Sequence, residues 1–140
     1  MKFWDSSALV PLLVNEPATN AVTTLILSDS KRYVWWAAGT ECVSALSRRL
    51  RTSQISAADH QIATARLEQS RQTWIEVPPS MALRDNAERL LRAYALRTAD
   101  ALQLAAAMDA ADGSPDTLAF VCLDKQLTEA ARGEGFTVEP

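Results

Sequence analysis

The chain has 140 residues, of which 48% are hydrophobic and 22% charged, enough apolar material for a buried core and too much for a disordered polymer. Four glycines and six prolines exclude collagen-like and low-complexity architectures, and 24 alanines favour helix. Seventeen acids against fourteen bases leave a net charge of −3, which excludes association with nucleic acid driven by bulk basicity.

Short bursts rich in aromatic and β-branched residues alternate with longer stretches of helical period, the pattern of an α/β fold. The first burst, Lys2 to Asp5, predicts a strand. A helix follows, with Leu9, Leu12 and Leu13 on one face, and Asn15-Glu16-Pro17 separates it from a second carrying Val22, Leu25 and Ile26. Tyr33 to Trp36 reads as the second strand. A third helix carries Val43, Leu46 and Leu50, with Arg48, Arg49 and Arg51 at its end, where cations suit the helix dipole. Ser56 opens a fourth that runs to about Arg71 with Ile62 and Leu67 inward. Trp74 to Val77 is the third strand, and after Pro78-Pro79-Ser80 come two helices, Met81 to Tyr94 and Ala99 to Ala111. Gly113-Ser114-Pro115 marks a turn before a fourth strand, Leu118 to Leu123. A last helix, about Lys125 to Arg132, stops at Gly133-x-Gly135 ahead of a terminal strand, Phe136 to Val138.

With no repeat and no linker composition, the expectation is one domain over residues 1–140. Crossovers of this length make the sheet parallel, so the predicted architecture is a three-layer α/β/α sandwich around four to five parallel strands. Cys42 and Cys122 sit in apolar stretches outside any paired or Cys/His motif and read as buried free thiols of a reducing cytosol. Asp5 interrupts any signal-peptide hydrophobic region, and no segment reaches the roughly 18 apolar residues of a membrane span. A cytoplasmic protein without membrane attachment is expected.

Sites in parallel α/β sheets lie beyond the carboxyl ends of the strands. Asp5 ends the first strand and Asp124 follows the fourth, while Glu41 falls in the first turn of the helix after the second strand. Topology therefore brings these three acids to one rim. Asp100, in the first turn of the helix Ala99 to Ala111, follows no strand directly. Acids gathered on a half-dry rim repel one another unless a divalent cation is bound, and an oxygen-only donor set points to Mg²⁺ or Mn²⁺. Such a site hydrolyses phosphodiesters without histidine. The chain has one, His60, on a polar helix face, where it reads as a solvated residue.

Four segments carry a resemblance: Trp4-Asp5-Ser6-Ser7-Ala8-Leu9-Val10, Thr40-Glu41-Cys42-Val43-Ser44-Ala45-Leu46, Arg97-Thr98-Ala99-Asp100-Ala101-Leu102-Gln103-Leu104-Ala105 and Phe120-Val121-Cys122-Leu123-Asp124-Lys125-Gln126-Leu127. In order and spacing they resemble the acidic motifs of PIN-domain ribonucleases, above all the VapC-type toxins of toxin-antitoxin pairs. The resemblance implies an endoribonuclease dependent on Mg²⁺ or Mn²⁺, a homodimer, and inhibition by an antitoxin of the VapB type. Carried over, Asp5, Glu41, Asp100 and Asp124 are the catalytic and metal-binding quartet, and a hydroxyl beside the first acid, Ser6 or Ser7, shapes the site. Trp4 is bulkier than the residue usual before the first acid, and Cys122 stands where a small or hydroxyl residue is common. The antitoxin and dimer contacts are expected on the early helices.

Other classes fit less well. An aspartate-based phosphatase needs a second Asp at the position of Ser7, a receiver needs a phosphoacceptor after a central strand, and a dinucleotide site needs a glycine fingerprint. The alternative that survives is a PIN-like scaffold that binds RNA or a partner without cutting. Trp4, Trp35, Trp36 and Trp74 lie in or beside strands and read as packing residues. Residues 48–97 hold nine arginines and five acids, and Arg97, three residues before Asp100, is the one placed to reach a substrate phosphate. Without the quartet the chain has 13 acids against 14 bases, so the net acidity belongs largely to the site.

Overall fold

The computed structural model describes residues 1–140 and places five strands in one parallel sheet, in the order β3-β2-β1-β4-β5. In chain order the elements are β1 (Phe3–Trp4), α1 (Ser6–Leu13), α2 (Thr19–Leu27), β2 (Arg32–Trp35), α3 (Ala38–Arg51), α4 (Ala57–Arg71), β3 (Trp74–Val77), α5 (Met81–Ala93), α6 (Thr98–Ala110), β4 (Phe120–Val121), α7 (Lys125–Gly133) and β5 (Val138–Glu139). A short 3₁₀ turn, Pro115–Thr117, leads into β4. This is the predicted three-layer α/β/α sandwich with its parallel sheet. From β1 the chain builds outward through β2 and β3, then returns to the other side of β1 with β4 and β5. The reversal makes the carboxyl end of β1 the topological switch point, where α/β sheets open a crevice.

β1 and β4 are wholly apolar and buried, as strands covered on both faces require. Phe3 and Phe120 stack at 5.5 Å between ring centroids, and Phe136 closes on Phe120 at 5.6 Å. Ser56 caps α4 as expected, its Oγ accepting from Asp59 N at 3.0 Å, and Ser80 does the same for α5, its Oγ accepting from Leu83 N at 3.0 Å. Gly135, at φ +102°, takes the left-handed turn that sends the chain from α7 into β5.

Several expectations are corrected. Ile62 is not inward but 51% exposed; α4 buries Leu67 as expected, together with Ala63 four residues before it. Val43 is exposed as well, the inner face of α3 being Cys42 and Leu46. Trp36 lies past the end of β2 and is 57% exposed, whereas Trp4 and Trp35 are buried. The fourth strand shrinks from six residues to Phe120–Val121, since Leu118 and Ala119 belong to the approach from the 3₁₀ turn and the chain past Val121 already bends toward α7. The terminal strand is displaced to Val138–Glu139, with Phe136 left as a core side chain before it. No helix is long and apolar enough to cross a membrane.

Candidate active site

Asp5, Glu41, Asp100 and Asp124 all line one cavity of about 470 Å³ at the switch point. Asp5 is fixed twice over. Its N–H donates to Val121 O at 3.0 Å, extending the β1–β4 ladder by one residue, and its Oδ2 accepts from Ser7 N at 3.0 Å to cap α1. An acid that both ends a buried strand and caps a helix is held with its carboxyl at the rim but out of water, and Asp5 is 3% exposed. Burial pushes its pKa up to about 6 against the pull of the Ser7 hydrogen bonds, and the charges of Asp100 and Asp124 push it further the same way.

Asp124 repeats the device at the neighbouring strand, its Oδ1 accepting from Leu127 N at 2.8 Å to cap α7. Oδ1 of Asp5 and Oδ2 of Asp124 accept from no protein donor. Asp100 stands half-buried in the first turn of α6, where burial and then Asp124 raise its pKa, opposed by the backbone and charge of Arg97. Glu41, in the first turn of α3, is gripped at both oxygens: Ser6 Oγ donates to Oε2 at 3.0 Å and Gln103 Nε2 donates to Oε1 at 3.2 Å. Burial still outweighs these two bonds and carries its pKa up to about 7, with Asp5 and Asp100 adding their repulsion.

The two serines have separate tasks. Ser6 reaches Glu41, while Ser7 Oγ accepts from Leu123 N at 2.9 Å and so ties the start of α1 to the segment after β4. Cys122 Sγ lies 3.7 Å from both Asp5 Oδ2 and Ser7 Oγ. Burial, and then Asp5, push its thiol up to about 12, so it is a neutral packing group and a weak donor, not a thiolate. Cys42 is likewise buried and unpaired.

As the side chains stand, no three acidic, histidine or cysteine residues are grouped tightly enough to enclose an ion. The donor chemistry nonetheless suits a hard divalent cation. The donors are oxygens alone, the charges of Asp100 and Asp124 raise the pKa of Asp5 and that of Asp124 raises the pKa of Asp100, and no basic side chain makes an ion pair with any of the four acids. Mg²⁺ keeps most of its water and needs only one or two direct carboxylates, which the free oxygens of Asp5 and Asp124 would provide.

Three arginines line the cavity with the acids. Arg49 is committed elsewhere, its guanidinium paired with Glu16 at 2.6 Å and bonded to Ala45 O. Arg48 and Arg97 are exposed and make no ion pair, leaving two cations on the wall of an acidic cavity. Arg51 and His60 lie outside it. The residue that motif reading passes over is Gln103. Its signal is a lone amide in the apolar run Ala101–Ala107, three residues after Asp100 and therefore on the same helical face.

No family model matches the chain. Two proteins named Ribonuclease VapC45 and Ribonuclease VapC49, both from Mycobacterium tuberculosis, are 29% identical to it over 99% of this chain and 94% of their own. Among solved structures, the Mycobacterium tuberculosis toxin VapC20, described as cleaving the sarcin-ricin loop, superposes with a TM-score of 0.71 at 19% identity, with all of both chains covered. FitAcB from Neisseria gonorrhoeae gives 0.67 at 17% identity, covering 100% of this chain and 97% of its own. FitAB bound to the IR36 DNA fragment gives 0.66 at 14%, covering 99% and 93%. The fold is thus PIN-like, and the resemblance to VapC ribonucleases read from four short motifs extends over nearly the whole chain.

Proposed function

We propose that this chain is a metal-dependent endoribonuclease that acts as the toxin of a toxin-antitoxin pair. The observation that carries the reading is the convergence of Asp5, Glu41, Asp100 and Asp124, none paired with a cation of the protein, in one cavity whose wall also bears the unpaired Arg48 and Arg97. Acids alone would repel RNA, and arginines alone would bind it without cutting. Acids that hold a cation beside arginines that hold phosphates make a site for phosphodiester hydrolysis. The sequence similarity to two VapC ribonucleases supports the same activity.

Asp5, Glu41, Asp100 and Asp124 would hold Mg²⁺ or Mn²⁺, directly or through its water. The cation supplies an activated water for in-line attack and charge stabilisation of the leaving oxygen. The protein supplies the rest. The capping bonds of Asp5 and Asp124 hold each carboxylate by one oxygen and leave the other free. Ser7 keeps the two strand ends at fixed separation. Arg48 and Arg97 orient the substrate by its phosphates. The exposed apolar side chain of Leu27 at the end of α2 supports an antitoxin of the VapB type as partner on the early helices, and a homodimer is part of the same proposal. Two free thiols and an RNA substrate favour the cytoplasm.

The test is cleavage of structured RNA by the purified chain with Mg²⁺ or Mn²⁺, with EDTA and Asp5→Asn as controls. Cutting that requires the metal and is lost in Asp5→Asn is expected. A wild-type protein that binds RNA but never cuts it is the non-catalytic scaffold instead.

A further inference from the structure

Gln103 is 1% exposed in the middle of α6, surrounded in sequence by the buried Ala101, Leu104 and Ala105. A glutamine in such a place has to find partners for its amide or carry the cost of a dry polar group. It finds one: Nε2 donates to Glu41 Oε1 at 3.2 Å, whereas Oε1 has no partner at all. Core packing does not account for this choice, since a leucine or methionine would fill the volume and remove the orphaned oxygen. The single bond that justifies the amide is the one to Glu41.

The other oxygen of Glu41 is held by Ser6 Oγ at 3.0 Å. Two donors from two different helices, α1 and α6, thus take one oxygen each of a carboxylate carried by a third, α3. A carboxylate held this way has lost its rotation about the terminal bond before anything binds, so that ordering cost falls on folding and not on the ligand. Both donors also keep the two oxygens as acceptors, the state in which the group faces a cation.

We infer that Gln103, with Ser6 as its counterpart, is a positioning residue that fixes the Glu41 carboxylate for a divalent cation in the acidic cavity. The inference rests on the metal-dependent reading above, and outer-shell partners of this kind typically change metal affinity by about 10- to 100-fold.

The experiment titrates the full-length protein with Mn²⁺, following free Mn²⁺ by its EPR signal, and measures thermal unfolding in metal-free buffer. Gln103→Met is expected to unfold at or above the wild-type temperature, because the orphaned acceptor is gone, while binding Mn²⁺ at least about 10-fold more weakly. Ser6→Ala, at a partly exposed position, is expected to weaken Mn²⁺ in the same direction and serves if Gln103→Met does not fold. A glutamine that merely supported the core would give the opposite pair, a lower unfolding temperature with Mn²⁺ affinity unchanged. Wild-type affinity in both variants overturns the inference. Absence of saturable Mn²⁺ binding by the wild-type protein overturns the metal reading itself and the inference with it.

Discussion

The indole Nε1 of Trp4 donates to Asp29 Oδ2 at 2.7 Å, and both side chains are buried. The guanidinium of Arg32 lies 5.8 Å over the same indole and donates to the backbone oxygen of Asp29 at 3.1 Å. The bulky residue before the first acid is therefore one member of a buried polar cluster with Asp29 and Arg32. Asp29→Ala leaves the indole N–H without an acceptor and Arg32 without a counter-charge, and should cost about 2–4 kcal/mol in urea unfolding. Trp4→Phe removes the donor and should cost less in the Asp29→Ala background than in the wild type. Additive losses would show that the pair is not coupled.

The acid quartet was legible because each member sits at a boundary that sequence marks well, a strand end or a first helical turn. Asp100 needed more than periodicity, since α6 follows another helix and only the packed fold brings its first turn to the rim. Side-chain direction was harder to read. Ile62 and Ala63 are adjacent and differ in burial because a helix face is chosen by what packs on it, and the larger apolar residue of the two lost. Gln103 escaped for the converse reason, as an amide in an apolar helix has no meaning until its partner, 62 residues away, is placed beside it. The lengths of β4 and β5 followed from turns, not from hydrophobicity, and no apolar count shows where those turns start.

Burial of Asp5 predicts a pH dependence with a definite sign. Its folded pKa of about 6 lies above the ordinary 3.8, so the folded state holds the proton more tightly than the unfolded chain. The stabilisation this gives is complete below about pH 4 and is lost as pH rises through 6, an effect on the order of 3 kcal/mol. Asp5→Asn removes the charge while keeping an oxygen to cap α1. In EDTA at pH 8 the variant should be more stable than wild type by about 2 kcal/mol, and near pH 4 the difference should vanish. Chemical denaturation at the two pH values checks this, and equal stability at pH 8 would contradict the dry environment assigned to Asp5.

Gly39 sits in the first turn of α3, two residues before Glu41, under the guanidinium of Arg71, which also lies 5.7 Å over the Trp74 ring. A methyl group there would stand 2.4 Å from Arg71 Nη1. The obstacle is the far end of a flexible side chain, so Gly39→Ala should change stability by no more than about 1 kcal/mol, the helical gain of alanine offsetting the displaced guanidinium. With Arg71→Ala already present the same substitution should stabilise outright. A large loss in both backgrounds would mean that backbone, and not Arg71, limits the space.

The three arginines of the cavity should separate by function. Arg49 is locked to Glu16 across the α1–α3 side of the fold, so Arg49→Ala is expected to lower stability by about 1 kcal/mol and to affect cleavage mainly through that loss. Arg48 and Arg97 have no partner to lose. Their alanine variants should fold with wild-type stability yet cut RNA more slowly at low substrate concentration, and the logarithm of RNA affinity should fall less steeply with salt, by roughly 0.7 to 0.9 in slope for each phosphate contact removed. Arg97 carries a further consequence that Arg48 does not, because its charge draws the Asp100 carboxyl toward its ionised form. Arg97→Ala should therefore shift the acid limb of the pH–rate profile upward while Arg48→Ala leaves it in place. If both variants moved the limb equally, the two cations would be interchangeable contributors to the field of the cavity, and the separate role of Arg97 beside Asp100 would be lost.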